Sequence, residues 1–281
     1  MPPVVWDGDG VDPWLPARLN AIADAAEAER TVYDGYFARL SAWLVLALRA
    51  VLRPGQRPDP YGVFAVAPEW NTSMREFVNT TVKEVMGGAY SRLLGDGYRF
   101  DARPAVTAHL AEVRNRMVRT PDEVFDLIAA DIAEGANRGD TIPEAAERID
   151  EILDATETPR WRNRSTVVAR TETLAALNRG RADAFDAVAQ ELTEAPEPGE
   201  EPVRFERQWL STLDTRTRAS HRTADGQRVG LNEPFNVGGF PLMQPGDPAG
   251  PPQETIQCRC TILLMEVGET ADMSNRPFRT F

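Results

Sequence analysis

The spacing of the apolar residues changes once along this chain, and the change separates two kinds of structure. Between about residues 16 and 192, apolar side chains recur three and four positions apart, the period of amphipathic helices. Farther on, Val203 to Leu210 alternates apolar and polar residues, and Thr261 to Val267 is an apolar, branched run, as in two strands that pair with each other. The chain therefore predicts an α+β fold, with a mainly helical N-terminal body and a small, loop-rich α+β C-terminal cap.

Prolines and glycines mark where the predicted helices of the body begin and end. Residues 54–68 contain four prolines and two glycines and are predicted to form a loop. Gly87-Gly88 is predicted to kink or end its helix, because each glycine costs about 1 kcal/mol inside a helix. The predicted helices cover residues 16–53 (one helix or two), 69–94, 104–119, 121–137, 142–153 and 160–192, the fourth and fifth after the start sequences Thr120-Pro121 and Thr141-Ile142-Pro143-Glu144.

Two irregular stretches complete the predicted organisation. Residues 194–202 are acidic and proline-rich and are predicted to be a linker between the body and the cap. About fifty residues rich in glycine and proline lie between the two predicted strands of the cap. This length is unusual for a loop without secondary structure, so the segment is predicted to be functional or to be stabilised by a ligand.

Composition excludes several classes of protein. The formal net charge of −12 argues against a protein that coats nucleic acid by bulk electrostatics. No apolar run reaches the roughly 18 residues of a membrane span, and the N-terminus lacks the pattern of a secretory signal, so we expect no membrane partner. Two cysteines do not form a disulfide framework. We therefore expect a soluble protein made in a reducing cytoplasm.

Both cysteines lie in the cap, as Cys258 and Cys260, and one of the two histidines, His221, precedes them. Thiolate and imidazole groups are good zinc ligands, so these three residues are candidate ligands of a zinc ion. The candidates for the fourth ligand are a water molecule and Asp214, Asp225 or Asp247. In the alternative interpretation the cysteines pack as small apolar side chains, and His221 is hydrogen-bonded in a turn.

The acidic side chains of the cap also suggest a catalytic alternative. Asp214, His221 and a cysteine-bound metal could serve a metal-dependent hydrolase or nuclease, with Glu254 as a further carboxylate. However, Asp225-Gly226 and Pro245-Gly246-Asp247-Pro248 are turn sequences, and Asp214 directly precedes a turn. Turn formation accounts for these aspartates, so no catalytic residue is predicted.

The last predicted helix of the body is rich in arginines and acids. Arg170 and Glu172 could lie on a solvated face, where ion pairs contribute only tenths of a kcal/mol. Alternatively, they could reach the cap and pin it to the body through charge-assisted hydrogen bonds. Arginines between Arg160 and Arg181 could also form a local DNA-binding patch, whose binding would weaken steeply with salt.

Several short motifs follow one another in a fixed order over residues 160–267. They are Val168-Ala169-Arg170-Thr171-Glu172-Thr173, Asn178, Arg181, Trp209, Asp214-x-Arg216-x-Arg218-x-x-His221, Asp225-Gly226, Pro234-Phe235, Pro245-Gly246-Asp247 and Cys258-Arg259-Cys260. In this order they resemble the phage Mu F-like minor head proteins, also called head morphogenesis or MuF-like minor capsid proteins. The first 150 or so residues resemble that family only in being helical.

The resemblance implies a structural virion protein of a tailed phage and not an enzyme. It implies a place at the portal vertex and in the capsid interior, after assembly in the host cytoplasm. The implied role is in head morphogenesis and in DNA packaging or ejection. The implied partners are the portal protein, the major capsid protein and packaged double-stranded DNA.

The resemblance also bears on the zinc site and on the domains. Many members carry Cys-x-x-Cys where this chain has Arg218 to His221, and with Cys-Arg-Cys those four thiolates look like a zinc site. The implied ligands here are His221, Cys258 and Cys260, with Asp214 or water as the fourth. The residues implied to form the structural motif are Arg170, Glu172, Trp209, Asp214, Asp225, Gly226 and Asp247. The predicted domains are a helical region at 1–157, a Mu F-like domain at 158–270 and a tail at 271–281.

Overall fold

The fold is that of a computed structural model of the full chain. The structure describes residues 14–94, 119–156, 158–194 and 204–268, together with the single positions 104 and 107. The predicted helix at 104–119 and the linker at 194–202 fall mostly outside the described residues, and the tail at 271–281 falls wholly outside them.

Helices dominate the chain up to residue 194, and short helices recur in the cap. The long elements are α1 (Leu15–Val51), α3 (Ala67–Phe77), α4 (Lys83–Leu94), α5 (Thr120–Arg138), α6 (Ile142–Leu153) and α7 (Pro159–Glu194). The short ones are α2 (Gly62–Ala65), a π-helical turn (Val78–Val82), α8 (Ala219–Ala224) and α9 (Pro252–Thr255). No helix in the described part of the chain combines the length and the apolarity that a membrane span requires.

All strands of the described residues lie in the cap, whose described residues are 204–268. They are β1 (Phe205–Leu210), β2 (Arg228–Gly230), β3 (Phe235–Val237), β4 (Phe240–Leu242) and β5 (Thr261–Glu266). The central strand of a three-stranded antiparallel sheet is β1, with β2 and β5 on either side, and β3 pairs with β4 as a separate hairpin. The predicted α+β class is thus confirmed, as is the pairing of the first and last strands of the cap.

Helix boundaries follow the local sequence where a start or stop residue specifies them. Thr141 caps α6 through a capping box, in which its backbone N–H donates to the Glu144 carboxylate at 2.7 Å. Gly139 ends α5 in the left-handed conformation, with φ of 80°. At α5 the predicted cap is one residue off: Arg119 is the N-cap, and Thr120 lies inside the helix, where its Oγ1 accepts a hydrogen bond from Arg164.

The predictions for residues 54–94 need two corrections. The stretch 54–68 is not wholly a loop, because α2 and the start of α3 lie within it. The predicted kink or end at Gly87-Gly88 is wrong, since α4 continues through both glycines to Leu94. Buried neighbours such as Met86 and Ala89 offset the cost of the glycines. The regular α-helical hydrogen bonding is instead interrupted at the π-helical turn, Val78–Val82.

The chain divides into two compact units that are not contiguous in sequence. The first comprises residues 1–29, 84–102 and 170–281, and the second comprises residues 30–83 and 103–169. The domain boundaries predicted after residues 157 and 270 stay predictions.

The core of the second unit is rich in aromatic side chains. Tyr36 meets Trp70 edge-on, with 5.8 Å between ring centroids, and Trp43 lies 5.4 Å from Trp70. The Trp43 indole donates to the carbonyl of Val66 at 2.7 Å, so its polar atom is satisfied within this core. Buried aliphatic side chains such as Ile128 and Ile149 extend the core.

In the first unit, the middle of α7 is buried. Every residue from 171 to 178 is buried, which is typical of a helix surrounded by protein. At Gly180 an added Cβ would lie 2.3 Å from the carbonyl oxygen of Met86, so only glycine permits this close approach to α4. On the side of α7 that faces the cap, Ala182 and Phe185 pack into a cluster with residues of the cap. These are Trp209, Ala224, Phe235, Val237, Leu242, Cys258, Cys260 and Ile262.

Candidate metal centre

The structure brings His221, Cys258 and Cys260 together in the core of the cap. Their potential ligand atoms all lie within 4.8 Å of one another, and each residue is only 2% exposed. Among the residues that the structure describes, this is the one group of three or more such side chains close enough to share a metal ion.

The distances within this group suit a tetrahedral ion. His221 Nδ1 lies 3.2 Å from Cys260 Sγ and 3.7 Å from Cys258 Sγ. Zinc–sulfur and zinc–nitrogen bonds of about 2.3 and 2.1 Å place two tetrahedral ligands about 3.6 Å apart. An ion would therefore require little rearrangement of these three side chains.

Local backbone structure positions the two cysteines. Gln257 adopts a left-handed conformation with φ of 55°, and its N–H donates to Thr171 Oγ1 of α7 at 3.1 Å. The next amide, that of Cys258, donates to the carbonyl of Thr255 at 3.3 Å. The chain thus turns sharply just before the first cysteine, and α7 holds the turn in place.

A buried polar network holds the second cysteine. Asn178 of α7 donates from Nδ2 to the carbonyl of Cys260 at 2.9 Å and to that of Pro245 at 3.1 Å. Its Oδ1 accepts from Thr261 Oγ1 at 3.0 Å, and Arg181 donates to the same hydroxyl oxygen at 2.8 Å. Asn178 and Arg181 were part of the motif series, but their contacts could not be read from the sequence.

The other ring nitrogen of His221 has a fixed partner. Nε2 lies 3.1 Å from Glu254 Oε2, and that oxygen also accepts from the Ser220 hydroxyl at 2.8 Å. Because a carboxylate only accepts hydrogen bonds, Nε2 must carry a proton here. This leaves Nδ1, on the sulfur side, as the nitrogen that can bind a metal.

Burial and mutual contacts divide the charge unequally among the three groups. The hydrogen bond from Cys260 and the nearby His221 lower the pKa of Cys258 well below its usual range, despite burial. Burial raises the pKa of Cys260, and so does the nearby Cys258. Burial lowers the pKa of His221, but the hydrogen bond and charge of Cys258 outweigh it and leave that pKa raised. The cluster therefore favours one thiolate beside the imidazole, which is the form of cysteine that binds metals.

An aromatic ring packs against the imidazole, and a second ring packs behind the first. Trp209 of β1 meets the His221 ring edge-on, with centroids 5.6 Å apart. Phe235 of β3 packs against Trp209 at 5.4 Å. This surrounding strengthens electrostatic interactions inside the cluster because it keeps water away from it.

The three predicted aspartates form turns and ion pairs outside the cluster. Asp214 accepts from the Arg216 amide at 2.9 Å and from Arg259 at 2.6 Å, and Arg259 holds the pKa of Asp214 well below its usual range. Asp225 pairs with Arg18 at 3.0 Å, and Gly226 follows it with φ of 78°. In its loop, Asp247 accepts from two backbone amides. The structure thus brings none of them to the candidate metal ligands.

The two motif residues of α7 have different surroundings. Arg170 pairs with Glu29 of α1 through two contacts, at 2.9 and 3.2 Å, and so does not pair with an acid of the cap. Glu172 is buried, with 2% of its surface exposed, so it does not lie on a solvated face. Arg170 therefore fits neither interpretation, since it forms a half-buried ion pair within the helices, and burial rules out the solvated face for Glu172.

Sequence comparison assigns this region to a family. Residues 126–263 match the family model described as Phage Mu protein F like protein. This part of the chain belongs to the phage Mu F-like family. The Mu F-like region contains the whole candidate metal centre, including Glu254 and the α7 residues that hold the Cys258 turn.

Two curated relatives match this chain at low identity. The chain is 26% identical over 158 residues to the NAD(+)--arginine ADP-ribosyltransferase EFV of Enterococcus faecalis, a match that covers 56% of this chain and 29% of that protein. It is also 26% identical over 148 residues to the Minor head protein GP7 of Bacillus phage SPP1, which covers 52% of this chain and 42% of GP7. The chain thus spans less than half the length of either relative. No solved structure matches it significantly.

Within the Mu F-like region, Arg218 stands at the position where the resemblance leads us to expect a cysteine. Its guanidinium donates to the carbonyl of Ile256, next to the turn that carries Cys258. Arg218 therefore braces the same loop that a cysteine would attach through a metal. Among the described residues, the cluster provides three protein ligands and not four.

Proposed function

We propose that this chain is a minor head protein of a tailed phage, with a structural role in the virion. The observation that carries the proposal is the Mu F-like match over residues 126–263, joined by the similarity to a relative named as a minor head protein. The candidate metal centre supports it, because its groups are closed off in the core of the cap and none is presented to a substrate.

We place the protein at the portal vertex and in the capsid interior, where it assists head morphogenesis and DNA packaging or ejection. Its proposed partners are the portal protein, the major capsid protein and packaged double-stranded DNA. It would meet the first two in the host cytoplasm during assembly. The family resemblance supports these assignments, and the charge of −12 limits any DNA contact to local sites.

The proposed cofactor is one zinc ion, held by His221 Nδ1, Cys258 Sγ and Cys260 Sγ. Bound there, the metal would supply a cross-link between α8 and the segment before β5. The residues present fit this role: two thiols and an imidazole lie at suitable distances, and Glu254 fixes the orientation of the ring. A water molecule is the proposed fourth ligand, since Asp214 is held by Arg259.

The burial of this site argues against the metal-dependent hydrolase or nuclease alternative. A catalytic zinc site must admit substrate to its open position, whereas His221, Cys258 and Cys260 are each 2% exposed, so that the proposed water ligand would be buried with them. The aspartates that a hydrolase would use lie in turns outside the cluster. The similarity to the ADP-ribosyltransferase leaves most of that protein unmatched, so its named activity lends this chain no catalytic role.

Purified particles test the structural role directly. We expect mass spectrometry to find the chain in particles of its phage, and image reconstruction to place it at the portal vertex. Co-expression with the portal protein of the same genome should give a complex that survives size-exclusion chromatography. Absence of the chain from both proheads and virions would refute the head-protein proposal.

Metal analysis with matched variants tests the zinc site. We expect about one zinc per chain in the wild type and loss of zinc in His221→Ala and Cys258→Ser. His109→Ala is the control because it replaces the only other histidine of the sequence. Hydrolysis of DNA or peptide by the wild type that is lost in both site variants would instead establish the enzyme alternative.

A further inference from the structure

A second site of the first unit is a pocket rich in arginine. Its volume is about 280 Å³. Its lining includes four guanidinium groups, one amide and one aliphatic side chain. These belong to Arg170, Arg216, Arg218, Arg259, Gln257 and Ile256. The lining of the pocket is therefore basic, although the net charge of the chain is −12.

Carboxylates neutralise only half of this charge. Arg170 pairs with Glu29 and Arg259 pairs with Asp214. Among the described residues, neither Arg216 nor Arg218 has a carboxylate partner within ion-pair distance. The pocket therefore has an excess of two positive charges.

The structure holds three of the four guanidinium groups in place before any ligand binds. Glu29 and Asp214 each engage their arginine through two contacts, and Arg218 donates to the carbonyl of Ile256. A guanidinium group has more donors than one carboxylate can accept, so each retains N–H groups for a ligand. Such preorganisation reduces the entropy that a ligand must lose on binding.

The backbone beside the pocket is fixed as well. Gln257 adopts its left-handed conformation, and its N–H is bonded to Thr171 of α7 at 3.1 Å. Asp214 links the two sides of the pocket, since it accepts from both the Arg216 amide and Arg259. The arginines therefore extend from a rigid frame, although the Arg216 side chain itself is exposed.

We infer that this pocket binds a phosphate group through Arg216 and Arg218, with Arg170 and Arg259 as secondary donors. Planar guanidinium groups match the oxygens of phosphate through paired hydrogen bonds. A phosphate monoester carries about −1.5 to −2 charges at neutral pH, close to the excess in the pocket. Two consecutive phosphodiesters of a DNA strand, each with one negative charge, would match it equally, whereas a single carboxylate would leave part of that excess unpaired.

Two sources can supply this chemistry: free phosphate and the phosphodiester backbone of DNA. The first assay is calorimetric titration of the full-length chain with inorganic phosphate. The second is fluorescence anisotropy with a labelled DNA duplex over a series of salt concentrations. The site variant is Arg216→Gln with Arg218→Gln. The control is Arg53→Gln with Arg57→Gln, which removes two exposed arginines from the second unit.

We expect the site variant to weaken phosphate binding by about tenfold or more, and the control to change it by less than about twofold. The single variant Arg216→Gln should show part of the loss and retain the wild-type melting temperature, because the side chain is exposed. Arg216→Lys, which keeps the charge but loses the planar fork, should lie between wild type and Arg216→Gln.

The DNA assay separates the two sources. The ligand is the DNA backbone if two results are found together. Phosphate competes with the duplex, and the slope of log DNA affinity against log salt concentration is smaller by about two in the site variant. If phosphate binds but the site variant leaves DNA affinity unchanged, the ligand is a free phosphate compound. Equal phosphate affinity in wild type and site variant, no phosphate binding at all, or displacement by polyglutamate in preference to phosphate would overturn the inference.

Discussion

The cap and the second unit are stabilised by different kinds of contact. In the second unit, aromatic and aliphatic side chains of helices pack together, and many polar contacts join residues four positions apart, such as Arg138 with Glu134. In the cap, three of the strands have only three residues, and buried polar side chains fix the loops between them. Arg207, for example, donates to the carbonyls of Met243 and Glu233 at 2.9 and 2.8 Å.

This difference predicts how each region responds to substitution. When a polar side chain buried in the cap is removed, its partners lose a hydrogen bond that water cannot replace, which costs stability. An exposed polar group on a helix of the second unit leaves its partner to water, so its loss costs little. The four predictions below compare such residues by the change in the free energy of unfolding.

The largest effect is expected for Asp225→Ala. Asp225 pairs with Arg18, whose side chain is only 4% exposed, and it accepts from the Ser211 amide at 2.7 Å. Removing one partner of a buried pair costs about 3–5 kcal/mol, because the other charge stays buried. The matched variant in the second unit is Glu134→Ala, whose exposed i,i+4 pair contributes about 0.3–0.5 kcal/mol. Denaturation in urea measures both, and similar losses would contradict the comparison.

A somewhat smaller effect is expected for Asn178→Leu. The variant leaves the carbonyls of Cys260 and Pro245 without this donor inside the first unit, at a cost of about 2–3 kcal/mol. Asn79 in the second unit also donates to a carbonyl, that of Arg75, but at an exposed site. We expect Asn79→Ala to cost less than about 0.5 kcal/mol. Zinc content should also fall in Asn178→Leu and not in Asn79→Ala.

Thr141→Ala should reduce stability by about 1 kcal/mol, because it removes the capping box of α6. The effect should stay local, since the lost contacts join only Thr141 and Glu144. Hydrogen exchange would then show faster exchange at the start of α6 and unchanged protection in the cap. Loss of protection in β1 or β5 would mean that the cap depends on this helix end.

The smallest effect is expected on the stability of the protein at acidic pH. The pKa of Asp214 is lowered by the hydrogen bond from Arg259, so its stabilisation is present above the unfolded pKa of about 4 and is lost as the pH falls below that value. The contribution is small because the Asp214 side chain is 38% exposed. We expect Asp214→Asn to flatten the fall in stability below about pH 4, and Arg259→Gln to flatten it less, because the Arg216 amide still lowers the pKa of Asp214. An unchanged acid profile in both variants would exclude this pair as a source of acid sensitivity.

Much of the fold could be predicted from local sequence. The capping box at Thr141, the glycine that ends α5 and the periodicity of α6 each act over a few residues, so the sequence indicated those helices. The pairing of the first and last strands of the cap was also predicted correctly. The prediction of a kink or end at Gly87-Gly88 was wrong because burial of neighbouring residues outweighed the low helix propensity of glycine.

The candidate site could be predicted only in part. Residue type pointed to His221, Cys258 and Cys260, since their chemistry is independent of the fold. The role of Glu254 at the histidine and of Asn178 at the cysteine carbonyl depends on residues 33 and 82 positions apart. No local pattern encodes contacts over such distances.

The sequence by itself determined most of the long helices, the two long strands of the cap and which side chains can bind a metal. Only the tertiary structure decided that three of those side chains meet in a buried core, that the aspartates lie elsewhere, and that four arginines surround one pocket. The physical reason is the separation along the chain over which each interaction acts. Periodicity and capping depend on neighbours along the chain, whereas burial and charge pairing depend on which distant segments pack together.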